Sequence, residues 1–112
     1  MKSARRLEQV TAMAALLSNP LRLTLIERLR RGPCIVGDLV TALGESQATL
    51  SKQLGVLREA GLLSCRPEGR RREYALASPE LVAVALQALC DLACAAEVQA
   101  GECAALRPGR PD

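Results

Sequence analysis

The sequence predicts a mainly helical fold with one small β-hairpin, and three observations support this fold class. Apolar residues recur at helical spacing in four segments of the N-terminal half and in a fifth segment near the C-terminal end. Residues 62–66 and 71–76 are typical of two short strands around a turn at residues 67–70. Tyr74 is the only aromatic residue, so the core must be aliphatic, which suits helices packed on helices.

Capping and breaking residues bound the first four helices. Asn19 can cap the second helix, and Pro20 fits its first turn. Gly44 closes the third helix, and Ser46 is a good cap for the fourth. The predicted helices span residues 4–17, residues 20 to the Gly-Pro break at 32–33, residues 36–43, and residues 46–61.

The last helix is predicted to begin at Pro79, after a Ser78 cap, and to end near Ala96. It is apolar nearly all round, and a domain this small offers only one core to cover it. Pairing with the same helix of a second copy would cover it, so we expect a homodimer.

The chain is predicted to be one domain over residues 1–106, followed by a disordered Pro- and Gly-rich tail over residues 107–112. The N-terminus has no apolar signal core, and no uninterrupted apolar run approaches membrane-spanning length. We therefore expect a soluble, cytoplasmic protein without a membrane partner. No residue set suits acid, base and nucleophile roles, so we do not expect an enzyme.

The third and fourth helices, joined by a short Gly-containing turn, form a predicted helix-turn-helix, and the hairpin that follows would be its wing. The net charge is only +3, but the arginines cluster at the hairpin tip. Aromatic platforms for stacked bases are excluded, which favours double-stranded DNA over RNA as partner. The candidate DNA-binding residues are Ser46, Gln47, Thr49, Ser51, Lys52 and Gln53 on the fourth helix, with Arg70, Arg71 and Arg72 on the wing.

Four segments of the chain resemble the ArsR-SmtB family: LSNPLRL at residues 17–23, SQATLSKQL at 46–54, LREAGL at 57–62 and EGRRREY at 68–74. The resemblance covers about residues 7–96. It implies a homodimeric winged-helix repressor that leaves operator DNA when a metal, metalloid or oxidant reaches its cysteines or histidines. It also implies a dimer interface through the first and last helices.

Several sensing sites known in this family do not match the sequence. The chain has no histidine, so a histidine-based zinc site on the last helices is excluded. The Cys-x-Cys pair of the third helix is replaced by Ile35 and Gly37, and the persulfide-sensing cysteine of the second helix aligns with Glu27.

The remaining cysteines suggest a site for a soft ion. Cys90 and Cys94 are four residues apart on the last helix, and a turn at Gly101 would let Cys103 fold back over them. Three thiolates suit As(III) or Sb(III), with Cd(II) or Pb(II) as further candidates, and no organic cofactor is expected. The negative end of the helix dipole and nearby carboxylates would favour a bound cation over oxidation.

Two alternatives stay open at this point. Cys34, expected at a helix N-terminus near Arg30 and Arg31, is the best candidate for a reactive thiol in a redox or reactive-sulfur sensor on the same fold. A metal-binding or interaction module that does not bind DNA is the second alternative. Cys65, in the first wing strand, is interpreted as a packing residue.

Overall fold

The structure, a computed structural model, describes the backbone of residues 2–106 and the side chains of residues 3–102. The predicted tail at residues 107–112 and the Cys103 side chain lie outside this part. The elements are α1 (Lys2–Leu17), α2 (Pro20–Leu29), β1 (Cys34–Ile35), α3 (Val36–Leu43), α4 (Gln47–Glu59), β2 (Leu63–Glu68), β3 (Arg71–Leu76) and α5 (Pro79–Leu106). The chain divides between Pro79 and Glu80 into an N-terminal unit, which holds α1 to β3, and a C-terminal unit, which is α5.

The predicted capping residues act as expected. The Asn19 side chain accepts hydrogen bonds from the backbone N–H groups of Leu21 and Arg22, at 2.9 and 3.1 Å, and Pro20 is the first residue of α2. Gly44 ends α3 with a φ of 69°, a left-handed conformation that costs glycine little. These local interactions explain why the helix boundaries here follow from the sequence.

The core of the N-terminal unit is aliphatic, as predicted. Its fully buried side chains come from one stripe of each contributing helix: Leu25, Ile26, Leu39, Leu50, Leu54 and Leu57. Tyr74 on β3, the only aromatic residue of the sequence, is also buried. The leucines of α3 and α4 therefore face inward, which leaves the opposite face of α4 for contacts outside the domain.

The wing is part of a three-stranded antiparallel sheet with the order β1-β3-β2. The prediction missed β1, a two-residue strand whose partner lies about forty residues later, because no local pattern marks so short a strand. The hairpin turn is also tighter than predicted, since Pro67 and Glu68 belong to β2. Gly69, with a φ of 62°, supplies the positive first position of a two-residue turn.

The last helix is longer than predicted, and this is a correction. α5 continues from Pro79 through Gly101 to Leu106, so the turn expected at Gly101 is wrong. The residues around Gly101 are mostly good helix formers, and one glycine costs a helix only about 1 kcal/mol relative to alanine. Its apolar side chains Leu81, Val84, Leu89, Leu92 and Val98 are exposed.

α5 is the one described helix whose length and composition would allow it to cross a membrane, although Gln87, Asp91 and Glu97 interrupt its apolar residues. An 18-residue window within Pro79–Glu102 has a mean hydropathy of 1.8. Length and composition alone are weak evidence for a membrane-spanning helix, because an apolar helix at a subunit interface meets the same two criteria.

Candidate nucleic-acid interface and cysteine sites

The helix-turn-helix consists of α3, residues 44–46 and α4. Its buried leucines hold α4 against the N-terminal unit, so the polar residues of α4 face outward. Gln47, Ser51 and Lys52 are exposed, whereas Thr49 and Gln53 are half-buried. Gln47 and Ser51 therefore share one accessible face of α4, whereas the half-buried Thr49 and Gln53 lie towards another side of the helix.

The Ser46 side chain caps the N-terminus of α4. Its Oγ accepts a hydrogen bond from the Thr49 backbone N–H at 3.1 Å, and its hydroxyl donates to Thr49 Oγ1 at 2.9 Å. The Ser46 hydroxyl proton is thus used inside the helix, while the Thr49 hydroxyl proton stays available to an acceptor outside the protein.

Gln53 is also held by a neighbour, which the sequence did not indicate. The Arg22 Nε–H donates to Gln53 Oε1 at 2.9 Å. A glutamine reads adenine through its oxygen and its nitrogen together, and here the oxygen already accepts a hydrogen bond from Arg22. Gln47 makes no such contact within the described residues and keeps both groups.

An open groove of about 780 Å³ lies between α4, the start of α3 and the wing. Its α4 wall is formed by Gln47, Ser51, Gly55 and Arg58. These residues follow one another at intervals of four, four and three, so they share one face of the helix. Gly55 has no heavy atom within 4 Å of where a Cβ would stand, which leaves the groove floor open.

The groove is strongly cationic. The wing contributes Arg70, Arg71 and Arg72, and α4 contributes Arg58, against one lining carboxylate, Asp38. The ion pairs seen among the described side chains are Arg30 with Glu27 and Arg66 with Glu73, and neither involves a groove arginine. Such unpaired guanidinium groups along an open groove suit the phosphate backbone of DNA.

Arg58 is a groove residue that the sequence analysis missed. The polar face of α4 was followed only as far as Gln53. Continuing that face from Gln47 and Ser51 at helical spacing would have led to Arg58. Lys52, by contrast, is exposed but does not line the groove.

The α5 cysteines lie where a ligand could reach them. Cys90 and Cys94 are free, exposed and one helical turn apart. Both lie about three turns or more before the end of α5, so the helix-end dipole argument does not apply to them, because that effect fades within the last turn.

The Cys103 side chain lies outside the described residues, but its backbone is helical. Nine residues of unbroken helix separate Cys103 from Cys94 by roughly 14 Å along the axis, so the fold-back of Cys103 expected in the sequence does not occur. Within the side chains described, no three Cys, Asp or Glu residues lie close enough to hold a metal ion.

Cys34 lies in β1 rather than at a helix N-terminus, which corrects the reason given for its reactivity. It is 7% exposed, and its Sγ lies 3.6 Å from the Gly32 carbonyl oxygen. Ile35 occupies the cap position of α3 instead. Cys34 and the half-buried Cys65 both pair in register with Tyr74, from opposite sides of β3, and both thiols are free.

The family model of the bacterial regulatory proteins of the arsR family matches residues 19–64, which run from the cap of α2 to the start of the wing. The biofilm growth-associated repressor of Xylella fastidiosa is 38% identical over 96 residues, covering 86% of this chain and 83% of the relative.

Solved structures share the architecture as well. The transcriptional repressor BigR from Xylella fastidiosa is 36% identical and superimposes with a TM-score of 0.66, covering 79% of this chain and 92% of that one. A homodimeric winged helix-turn-helix DNA-binding domain from Mycobacterium bovis is 31% identical with a TM-score of 0.69, covering 79% of this chain and 83% of that one. The fold, the cationic groove and the relatives all indicate the same class of protein. The chain is a DNA-binding transcriptional repressor that belongs to the arsR family of bacterial regulatory proteins.

Proposed function

We propose that the chain binds operator DNA as a homodimer and is released when a soft metal or metalloid ion binds cysteines of α5. The observation that carries the DNA-binding half is the groove, which combines the polar face of α4 with four arginines that form no ion pair with any described side chain. In this arrangement α4 enters a major groove and the wing arginines lie along the adjacent phosphates. A regulator of this kind meets bacterial DNA in the cytoplasm.

The dimer is supported by exposed apolar surface. Leu7 and Val10 on α1, and Leu81, Val84 and Leu92 on α5, are each more than half exposed in the single chain. A second copy would bury such surface, and the Mycobacterium bovis neighbour is a homodimer. Two α4 helices related by a two-fold axis would meet half-sites about one DNA turn, roughly 34 Å, apart.

The inducer site is proposed at Cys90 and Cys94, with Cys103 as the third ligand. The exposure and one-turn spacing of the first two thiols support a shared ion. Because α5 is unbroken, Cys103 joins them only if the helix unwinds beyond Gly101 or if Cys103 comes from the partner protomer. Trivalent arsenic or antimony suits three thiolates, and Cd(II) or Pb(II) would take a further ligand.

Removing a wing arginine tests the DNA-binding half. For Arg71→Met we expect weaker binding and a salt slope of log Kd shallower by about 0.9 for each lost phosphate contact, measured by fluorescence anisotropy. The probe is a labelled duplex that the wild-type protein has selected from a random library. Arg30→Met, which removes an arginine paired with Glu27 outside the groove, is the matched control. Equal binding by both variants would contradict the contact between the wing and the phosphates, and a wild-type protein that selects no duplex would favour a module that does not bind DNA.

Titration of the protein–duplex complex with arsenite, antimonite, Cd(II) and Pb(II) under reducing conditions tests the inducer half. We expect release by arsenite or antimonite and at least a tenfold loss of potency, on the order of 1.4 kcal/mol, for Cys90→Ser and Cys94→Ser. Cys65→Ala, a half-buried sheet thiol, should respond like the wild type. Release by a mild oxidant but by none of the ions would favour the thiol-based redox sensor instead.

A further inference from the structure

One arginine connects three helices of the N-terminal unit. Arg22, in the first turn of α2, donates from Nε to Gln53 Oε1 on α4 at 2.9 Å. It also donates from a terminal guanidinium nitrogen to the Leu16 carbonyl oxygen of α1 at 3.1 Å. Both contacts are partly buried and each joins α2 to another helix, so they order the side chain in one geometry.

The contact with α1 is made at the end of that helix. The Leu16 carbonyl belongs to the last turn, where carbonyl groups have no partner within the helix. A positive guanidinium at this point satisfies the carbonyl and opposes the negative end of the helix dipole. The position of Arg22 is therefore tied to α1, a helix assigned above to the dimer interface.

The contact with α4 fixes the orientation of an amide. Arginine only donates hydrogen bonds, so Gln53 must turn its oxygen towards Arg22. The Gln53 NH2 group then remains, with no acceptor for it among the described residues. An amide held in this way offers its NH2 group as a donor of fixed orientation, which suits a phosphate oxygen or the O6 and N7 acceptors of guanine.

We propose that Arg22 is a positioning residue for DNA recognition, which links the end of α1 to Gln53 and presents the Gln53 NH2 group as a fixed donor. The proposal rests on the DNA-binding function proposed above. It assigns Arg22 no contact with DNA. A displacement of α1 in the dimer would reach Gln53 on α4 through this one side chain.

A DNA-free measurement tests the geometry separately. In ¹H–¹⁵N spectra of the full chain, the Gln53 NH2 pair, identified by its loss in Gln53→Met, should be dispersed from the other glutamines. Arg22→Met should move it to the position of an exposed glutamine, whereas Arg28→Met, on the same helix and without a hydrogen bond to α4, should leave it unchanged. An unchanged Gln53 pair in Arg22→Met would overturn the proposal.

A double-mutant cycle on the selected duplex tests the consequence for binding. Arg22→Met and Gln53→Met should each raise Kd about five- to tenfold, and the double variant should bind no worse than either. The salt slope of Arg22→Met should equal that of the wild type, because Arg22 contacts no phosphate, whereas Arg71→Met makes the slope shallower. Arg22→Lys, which keeps the charge without the planar fork, should show the same loss as Arg22→Met.

Two results would overturn the positioning role while leaving DNA binding intact. One is a double variant whose loss is the product of the single losses, and the other is a shallower salt slope for Arg22→Met. Binding of the selected duplex by Arg22→Lys with the wild-type Kd would also overturn it, because Arg22 would then act only through its positive charge. A wild-type protein that selects no duplex would instead contradict the DNA-binding function, and the Gln53 resonances would still decide the geometry.

Discussion

Ser46 and Ser51 illustrate how residues of similar chemistry on one helix take different roles. The Ser46 hydroxyl closes the first turn of α4 through two hydrogen bonds to Thr49. Ser51, one turn further along, is exposed and lines the cationic groove. The list of polar residues on α4 therefore separates into those that hold the helix and those that face outward, and this separation is visible only in the hydrogen bonds.

The two serines should respond differently to alanine. Ser46→Ala removes the cap and should lower the free energy of unfolding by about 1 kcal/mol, seen in urea denaturation. Ser51→Ala should stay within about 0.5 kcal/mol of the wild type, because the residue is exposed. It should nevertheless raise Kd for the selected duplex about fivefold through the lost contact. A stable Ser46→Ala protein with impaired DNA binding would reverse the two assignments.

At the scale of elements, the sequence predicted what local chemistry determines. The boundaries set by Asn19, Gly44 and Ser46 were correct, since each cap acts within a few residues. Strand β1 was missed because Cys34 and Ile35 become a strand only through pairing with β3. Arg22 was missed for a related reason, because its role depends on which elements lie beside it, whereas the helical spacing of Arg58 from Gln47 and Ser51 could have revealed that residue.

The end of α5 was predicted too early, near Ala96, and Gly101, where a turn was expected, offers a test. Gly101 is exposed within the helix, and an added Cβ would meet nothing within 4 Å. Gly101→Ala should therefore stabilise α5 by about 0.5–1 kcal/mol and raise its helical content in far-UV circular dichroism. Ala100→Gly, its neighbour, is the matched control and should have the opposite effect.

Arsenite titration of the same pair separates the two routes to a third thiolate. If the helix must unwind for Cys103 to reach Cys90 and Cys94, Gly101→Ala should weaken arsenite-driven release and Ala100→Gly should strengthen it. If Cys103 comes from the partner protomer, both variants should respond like the wild type. A less helical Gly101→Ala protein would contradict the continuous helix itself.

At the scale of the whole molecule, the distribution of apolar surface distinguishes the two units. From α2 to β3, the N-terminal unit buries its large apolar side chains in one core, whereas Leu7 and Val10 of α1 are exposed. α5 carries leucines and valines that stay exposed along its length, including Leu92 at 65%. Stability of the monomer should therefore depend mainly on the first unit, and association on the second together with α1.

A charge placed on α5 should act on association rather than on folding. Leu92→Glu should raise the dimer dissociation constant about tenfold or more, measured by sedimentation velocity. Ala42→Glu adds the same charge at an exposed position of α3 and should leave the dimer intact. A Leu92→Glu protein that sediments like the wild type would show that this part of α5 lies outside the interface.

The buried position of Tyr74 gives the protein an optical label confined to one unit. With no tryptophan and no other tyrosine, near-ultraviolet absorption and emission come from a side chain on the central strand, packed between Cys34 and Cys65 in register. Far-ultraviolet dichroism, in contrast, is dominated by helices, of which α5 is the longest at 28 residues. Thermal unfolding of one sample, followed by both tyrosine emission and far-ultraviolet dichroism, would therefore show whether the two units unfold together, without any attached label.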